Sequence, residues 1–334
     1  MSKPIARSSL MRWLLEPEPP GLGLDLRANE LSLARLNPKR GKAELDLCVT
    51  SPLPPGCLQF NMLEPNIRDG DTLAQVIESV LLRSGAAGSK RIALTLPDYL
   101  ARVSVVELAE APRSNAETVD LLKFRLKKSL PFDVDQARLA YEPLAGHLMS
   151  TPTYLTGVMH EAVVSQYEDF FTDLGFHVGL VVPASVSLLR ILSPLAQKNL
   201  SPGADYFFVN VERDYFTVSL VRERGVPVLI RTLGLRASDG PPVAYSEDDL
   251  LQDVIPTAIY YREKLQGTSL ERVYYRSLRP DMVHLREILE EQFEAPSEPL
   301  NLMGAVGIAR DLQMDATLAD SVGAAAGAAF GRVA

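Results

Sequence analysis

The chain has 334 residues, a formal net charge of −8 and only two cysteines. The length corresponds to about two domains, and the excess of acidic residues argues against a nucleic-acid-binding surface as the main function. Cys48 and Cys57 are too few and too badly spaced for a disulfide framework or a zinc site. Because no apolar run approaches the roughly 20 residues that span a bilayer, we expect a cytosolic protein.

Residues 1–20 are predicted to be a flexible leader. They contain one short apolar group at positions 10–15 and end in a Glu-Pro-Glu-Pro-Pro run, which is typical of a rigid, extended spacer. So short an apolar group gives little membrane affinity, and it lacks the apolar core of a signal peptide. A docking or disordered tail is therefore favoured over a membrane anchor.

Two stretches share a layout of strand, short polar turn and strand. In residues 22–36, leucines alternate along two strands that a polar turn at 27–30 joins. Residues 207–220 repeat this layout around a second polar turn. An alternation with a period of two is typical of strands. Two such hairpins, each opening one half of the chain, predict two related domains that face a cleft.

Further strands and helices follow from the apolar pattern. Before the second hairpin it predicts strands at 44–50, 91–96, 102–108, 138–141, 154–159 and 177–182, and helices at 71–84, 114–130, 163–174 and 183–195. After that hairpin it predicts strands at 226–233 and 272–275, and helices at 246–266, 281–293 and 322–330. Ser114 and Glu117 form a predicted capping box, and Pro256 predicts a kink inside its helix.

The two hairpins resemble the opening motif of domains in the actin-like ATPase superfamily. That motif is Asp-Ile-Gly followed by small residues and a second strand; its turn amides hold nucleotide phosphates and its Asp helps to hold the metal. In the first hairpin Asp25 is kept, but Arg27 occupies the glycine position. In the second hairpin Asn210 stands for the Asp and Glu212 for the glycine. The resemblance therefore implies an actin-like fold whose nucleotide motifs are degenerate.

The middle of the chain narrows this resemblance. A long helix enters Leu-Pro-Phe-Asp at 130–133, and the next strand ends in Tyr-Glu-Pro-Leu at 141–144. This arrangement resembles PilM-type type IV pilus assembly proteins, in which Ile-Pro-Phe-Pro follows the corresponding helix. In PilM-like and FtsA-like folds this part forms a small inserted subdomain called 1C.

The resemblance implies an α/β, actin-like fold of two duplicated, ribonuclease H-like domains. We predict domain 1 at 21–183, with a 1C-type insert at about 51–145, and a reduced domain 2 at 184–334. The family places a whole subdomain, called 2B, before the helix that starts here at position 246. Only a loop at 236–245 stands in its place, so we expect little or no 2B subdomain.

The substitutions in both turns remove features that a phosphate loop needs. Glycine lets the backbone approach a phosphate and take dihedral angles that a side chain obstructs, and the bulk of Arg27 replaces that approach. Glu212 puts a negative charge where phosphate would lie, and Asn210 removes a carboxylate that positions metal or water. The family's glycine-rich adenosine loop would fall around Ser277, where positions 276–280 hold no glycine.

We therefore interpret Asp25 as a structural remnant and predict a pseudo-ATPase with no catalytic residue, no metal and no cofactor. Binding of ATP and Mg²⁺ without hydrolysis is left open. The four histidines are scattered and have no ligand partner at a neighbouring helical position. Neither a Gly-x-Ser-x-Gly nor a phosphate-loop motif occurs.

The resemblance also implies a scaffold, cytoplasmic and peripheral to the inner membrane. PilM-type proteins bind the cytoplasmic N-terminal segment of a bitopic PilN-like protein and help to couple the assembly ATPase to the pilus platform. We expect the same two partners, no nucleic acid and only indirect membrane contact. The family's peptide groove lies between subdomains 1A and 1C, which corresponds here to 91–108 and the helix before Pro131.

Two groups of residues are candidates for the partner site. Leu130, Pro131 and Phe132 are the nearest motif match, with plain packing at the helix corner as an equal alternative. Arg125, Lys127 and Lys128 lie where the helix dipole favours cations. An acidic partner or lipid headgroups are their functional interpretations, and a solvated face is the favoured one.

Two other functions share this architecture. The first is that of a GspL-like cytoplasmic component of type II secretion, against which the lack of a membrane helix argues. The second is that of an active actin-like ATPase or sugar kinase, which requires intact glycine loops that this chain lacks.

Overall fold

A computed structural model describes residues 20–39, 42–86, 88–144, 151–222, 225–233 and 245–330. The predicted leader before position 20, and all but one residue of the predicted loop at 236–245, lie outside the described residues. In the described part, strands form three sheets. None of the described helices is both long and apolar enough to cross a membrane.

The strands are, in chain order, β1 (Leu22–Arg27), β2 (Glu30–Lys39), β3 (Lys42–Pro52), β4 (Arg91–Leu96), β5 (Ala101–Glu107), β6 (Ala137–Leu144), β7 (Thr153–His160), β8 (His177–Pro183), β9 (Asp205–Val211), β10 (Phe216–Arg222), β11 (Val226–Leu233), β12 (Leu270–Ser277), β13 (Ser297–Pro299) and β14 (Gly307–Ile308). The helices are α1 (Gly70–Ser84), α2 (Asn115–Leu126), α3 (Glu161–Asp173), α4 (Ala184–Asn199), α5 (Glu247–Ile259), α6 (Leu285–Phe293), α7 (Leu302–Ala305) and α8 (Ala316–Ala329).

The two larger sheets repeat one arrangement. The first has the order β14-β3-β2-β1-β4-β8, and the second has the order β11-β10-β9-β12-β13. In each, a hairpin and one further antiparallel strand continue into two parallel strands. This repetition confirms the predicted duplicated α/β fold. Only residues 234–246 separate β11 from α5, which leaves no room for a 2B subdomain.

Both faces of the first sheet are covered, which explains the composition of β1. Its leucines, such as Leu24, belong to a buried cluster that also holds Ile77 of α1 and Tyr167 of α3. Its other residues face α8, whose alanines and glycines are almost all buried. The helix predicted at 322–330 is therefore confirmed, although it begins at Ala316 rather than at position 322.

Helix α8 packs unusually closely against its neighbours. A Cβ atom on Gly23 of β1 would lie 1.9 Å from the carbonyl oxygen of Ala325, and one on Gly327 would lie 2.3 Å from the carbonyl oxygen of Ser187 in α4. Such distances leave no space for a methyl group beside a backbone atom. The small residues of α8 therefore let it lie between β1 and α4.

The third sheet has the order β5-β7-β6 and carries α2 on its apolar face. The predicted limits of this insert, 51–145, differ from its observed membership. Strand β7 lies beyond position 145 but pairs with both β5 and β6, whereas α1 and β4, which lie within those limits, belong to the first sheet. The observed membership of the insert depends on pairing between strands that are far apart in the chain. A local sequence pattern does not show such pairing.

The predicted limit of domain 2 also differs from the observed packing. Strand β14 pairs with β3, and α8 packs on the first sheet, so the chain returns to that sheet after position 306. A strand of two residues has too short a pattern to be detected in the sequence. The apolar stretch of α8 gives its helical period but not the sheet that it covers.

Two local predictions need adjustment. Ser114 does accept a hydrogen bond from the Glu117 amide at 3.1 Å, but the Glu117 carboxylate accepts from the Arg113 amide instead of completing a capping box. Helix α5 does begin with a full capping box, formed by Ser246 and Asp249. Four residues after Pro256 it passes into a π-helical turn at Tyr260–Lys264, rather than continuing as a regular helix to position 266.

The close approach of α8 predicts a strong effect of Gly23→Ala. The added methyl group would force backbone atoms of α8 away from β1, so we expect a loss of about 1–3 kcal/mol in the free energy of unfolding. Gly157→Ala in β7 is the matched control because nothing lies within 4 Å of its Cβ position. Urea unfolding of both variants measures the difference, and equal midpoints would contradict the packing described.

Candidate functional site

The two hairpins bring equivalent positions to the boundary between the two larger sheets. In the first, Asp25 pairs with Ser32 across the hairpin and with Thr95 in the neighbouring parallel strand. In the second, Asn210 pairs with Thr217 and with Arg276 in the same way. The predicted correspondence between Asp25 and Asn210 therefore agrees with the strand register.

The turns of the two hairpins contact each other and the segment after β4. Arg213 of the second turn lies 3.7 Å from Glu30 of the first, measured between Nη2 and Oε2. The Tyr99 hydroxyl donates to Asp214 at 3.4 Å, and the Tyr99 and Tyr215 rings meet edge to face with centroids 5.2 Å apart. Direct side-chain contacts thus join the two halves at the turns of their hairpins.

Arg276 is the centre of the site. Its side chain is only 1% exposed, and its Nη1 donates to Asn210 Oδ1 at 2.7 Å and to Glu212 Oε1 at 2.5 Å. Its Nε donates to the carbonyl oxygen of Asp320 at 2.6 Å. Because Asp320 belongs to α8, this one guanidinium links the second sheet to the helix that covers the first.

Arg27 forms a second buried group of ionic contacts. Its Nη2 donates to the side chains of Glu30 and Ser32 and, at 3.1 Å, to the carbonyl oxygen of Ser321 in α8. Its Nε lies 3.6 Å from Asp25 Oδ2. The arginine predicted to obstruct the phosphate loop is therefore held through Nη2, whereas its buried Nε and Nη1 have no hydrogen-bond partner among the described residues.

The carboxyl groups of the site have opposite pKa shifts. Burial raises the pKa of Asp25 to about 6, although the charge of Arg27 opposes this effect. Burial would also raise the pKa of Glu212, but the charges of Arg276 and Arg27 and its hydrogen bonds outweigh burial and lower the pKa. The charges of the two arginines thus favour the ionised form of Glu212, whereas burial favours the protonated form of Asp25.

This set of residues does not fit a complex of nucleotide and Mg²⁺. The carboxylate that would help to hold the metal, Asp25, is 1% exposed and lies beside a guanidinium. Asn210 and Glu212 are also buried, and Arg276 donates to one oxygen atom of each. Ser277, the fifth predicted position, hydrogen-bonds to the backbone of Arg279 in a local turn and does not join the network.

Asp98, which falls between the strands predicted at 91–96 and 102–108, is a buried residue of the site that was not predicted from the sequence. Its carboxylate accepts from the Ser185 amide at 2.8 Å, from the Ser185 hydroxyl and from the Thr217 hydroxyl at 2.6 Å, and its own amide donates to the Tyr215 hydroxyl at 3.2 Å. It therefore joins the end of β4 to the start of α4 and to β10. Burial raises its pKa to about 6, although the hydrogen bonds from Ser185 and Thr217 oppose this effect.

One signal in the sequence pointed to Asp98 and Arg276. Each is a charged residue at or just after the end of an apolar strand, β4 or β12, that lies next to the first strand of a hairpin. Side chains at these ends of parallel strands converge at one edge of the sheet. The sequence does not show that the two residues would be fully buried.

The predicted partner residues lie elsewhere, at the end of α2. Leu130 and Phe132 are half-buried in the apolar cluster of the third sheet, and the Phe132 ring meets His160 edge to face at 5.0 Å. This arrangement favours the packing interpretation of these two residues. Pro131 is exposed. The basic residues of the predicted partner site are also exposed, and they are Arg125, Lys127 and Lys128.

Solved structures of other proteins are similar to this chain in fold. A chain of the PilM–PilN type IV pilus biogenesis complex is 17% identical, with a TM-score of 0.75 over 94% of this chain and 97% of that chain. The cytoplasmic domain of EpsL, an inner-membrane component of the type II secretion system of Vibrio cholerae, is 12% identical, with a TM-score of 0.48 over 85% and 91%. No protein-family model and no curated protein sequence matches the chain. The first of these structures confirms the predicted PilM-type, actin-like fold.

Replacing Arg276 by methionine tests the buried ion pair. Glu212 would remain buried without its cation, so we expect the free energy of unfolding to fall by about 3–5 kcal/mol. Arg272→Met is the control from the same strand, because Arg272 pairs with Glu298 at 3.1 Å on a partly exposed surface, where a pair contributes about 0–1 kcal/mol. Chemical unfolding of both variants gives the comparison; similar losses would contradict a special role for Arg276.

The pKa of Asp98 predicts a pH-dependent stability. A carboxyl group whose folded pKa of about 6 exceeds the ordinary value of 3.8 stabilises the fold most at low pH, and this contribution is lost as the pH rises through 6. The difference in unfolding free energy between the wild type and Asp98→Asn should therefore increase by about 1 kcal/mol from pH 7.5 to pH 5.5. Urea titrations at both pH values measure it, and a constant difference would show that the folded pKa is not raised.

Proposed function

We propose that the protein is a non-catalytic scaffold of a type IV pilus assembly platform. In this role it binds the cytoplasmic N-terminal segment of a PilN-like bitopic protein, lies on the cytoplasmic side of the inner membrane and links that partner to the assembly ATPase. The observation that carries the proposal is the agreement in fold with PilM over almost the whole of both chains. That PilM chain was solved in a complex with PilN.

The buried network supports the non-catalytic part of the proposal. The side chains that correspond to the family's phosphate and metal positions are paired with Arg27 and Arg276 inside the protein. A nucleotide would have to separate these buried pairs, and separating a buried charge from its partner is strongly unfavourable. We therefore propose a pseudo-ATPase in which ionic contacts hold the two halves together without nucleotide.

The third sheet supplies the edge that we assign to the partner segment. Within the described residues β5 has strand hydrogen bonds with β7 only, and β11 of the second sheet lies within 8 Å of it between Cα atoms without pairing. Val103 of β5 packs towards the core of the first sheet, and Val105 is half-buried. An extended apolar peptide can add to such an edge and place alternate side chains against it.

Peptide binding tests this function. A labelled peptide with the sequence of the N-terminal segment of the PilN-like protein encoded in the same genome should bind the full chain with saturable anisotropy. The affinity should be the same with and without Mg·ATP, because a ligand that does not bind cannot shift another equilibrium. Failure of the peptide to bind folded protein, or binding only with Mg·ATP, would contradict the proposal.

Two valine variants locate the binding edge. Val105→Glu puts a charge on β5 and should weaken peptide binding at least about tenfold, because an apolar contact would be replaced by an unpaired carboxylate. Val283→Glu is the matched control, since Val283 is 70% exposed in the second half of the chain. If both variants keep the wild-type fold and bind the peptide with equal affinity, the peptide does not bind at β5.

A further inference from the structure

The end of α2 exposes two large apolar side chains. Phe124 is 77% exposed and Leu121 is 37% exposed. Residues three apart are neighbours on a helix surface, so these two form one patch. The opposite face of the helix carries Leu122 and Leu126, which are buried in the core of the third sheet. Phe124 and Leu121 therefore do not belong to the apolar core of the third sheet.

Three cations follow this patch at the end of the helix and directly after it. Arg125, Lys127 and Lys128 are exposed, and their side chains have neither a hydrogen bond nor an ion pair with any part of the chain that the structure describes. Of the acidic residues of the helix, Glu117 lies in the first turn, and Asp120 lies beside Leu121 and one turn before Phe124. In a protein with a net charge of −8, this is a local concentration of positive charge next to an exposed aromatic ring.

We propose that this end of α2 docks on an anionic phospholipid surface. Phe124 and Leu121 enter the boundary between headgroups and acyl chains, and the three cations lie at the level of the lipid phosphates. Apolar residues flanked by Lys and Arg bind membrane interfaces in this way, through apolar burial and attraction to anionic lipids. The long stems of the cations also let their charges reach the phosphates while the ring is inserted.

The shape of the patch favours lipid over an acidic protein. Phe124 projects from a convex helix face, and an aromatic side chain contributes strongly to a protein interface when it fills a pocket in the partner. A bilayer surface needs no such pocket because it deforms around the inserted ring. The cations are unpaired and carried on flexible stems, which suits the disordered phosphate layer of a membrane better than one fixed set of carboxylates.

This contact does not depend on the proposed partner. A single interfacial patch of this size gives weak and reversible binding, so it would orient a protein that another contact recruits. It also replaces the expectation that membrane contact is only indirect with a direct, lipid-dependent one. Lipid binding by α2 can therefore be disproved without affecting the proposed peptide binding, and peptide binding can be disproved without affecting lipid binding.

Vesicle sedimentation with the purified full chain tests the inference. The protein should bind vesicles of phosphatidylcholine and phosphatidylglycerol, but not vesicles of phosphatidylcholine alone, and salt should weaken the binding. Phe124→Ser should lower the partition coefficient about tenfold, because burial of the ring is lost. The triple variant R125Q/K127Q/K128Q should lower it at least about tenfold through the loss of three charges.

Two control variants remove an exposed apolar side chain or three exposed cations from surfaces outside α2. Leu82→Ser removes an apolar side chain that is 76% exposed on α1, and K90Q/K198Q/K264Q removes three exposed lysines outside α2. Both controls should bind vesicles as the wild type does. Absence of binding to anionic vesicles would overturn the proposal. So would binding that the α2 variants leave unchanged, or that the control variants weaken equally.

Discussion

Arg276 constrains the structure because a buried guanidinium is stable only when acceptors surround it. Asn210 of β9 and Glu212 directly after it supply two acceptors, and the carbonyl oxygen of Asp320 supplies a third from α8. These acceptors belong to a hairpin of the second half and to a helix that covers the first half. The relative position of the two halves is therefore part of the geometry that this one side chain requires.

Equivalent positions at the turns of the two hairpins carry side chains of opposite charge. Arg27 and Glu212 each lie two residues after an equivalent strand position, Asp25 or Asn210, and they carry opposite charges. The charge of Arg27 contributes to the lowered pKa of Glu212, so electrostatic attraction acts across the boundary. Asp98 adds a third connection, from the end of β4 to α4 and β10. Charge and hydrogen bonding inside the protein thus supply the connection between halves that we propose nucleotide no longer provides.

The sequence predicted the parts of the fold that local patterns determine. The hairpins, most helices and the degenerate turn positions follow from residues close together in the chain, and the structure contains them with small shifts at their ends. The contacts of Arg276 with Glu212 and of Asp98 with Thr217 join residues 64 and 119 positions apart, so no local pattern contains them. The return of β14 and α8 to the first sheet escaped prediction for the same reason.

Calorimetric titration of the full chain with Mg·ATP tests the central claim most directly. Because buried ion pairs occupy the positions that would contact phosphate and metal, we predict no heat of binding and no rise in the melting temperature at millimolar nucleotide. Micromolar binding with one site per chain would contradict the claim. It would mean that Arg27, Arg276 and Asp25 rearrange to form a phosphate site, and that the two halves separate at a low cost.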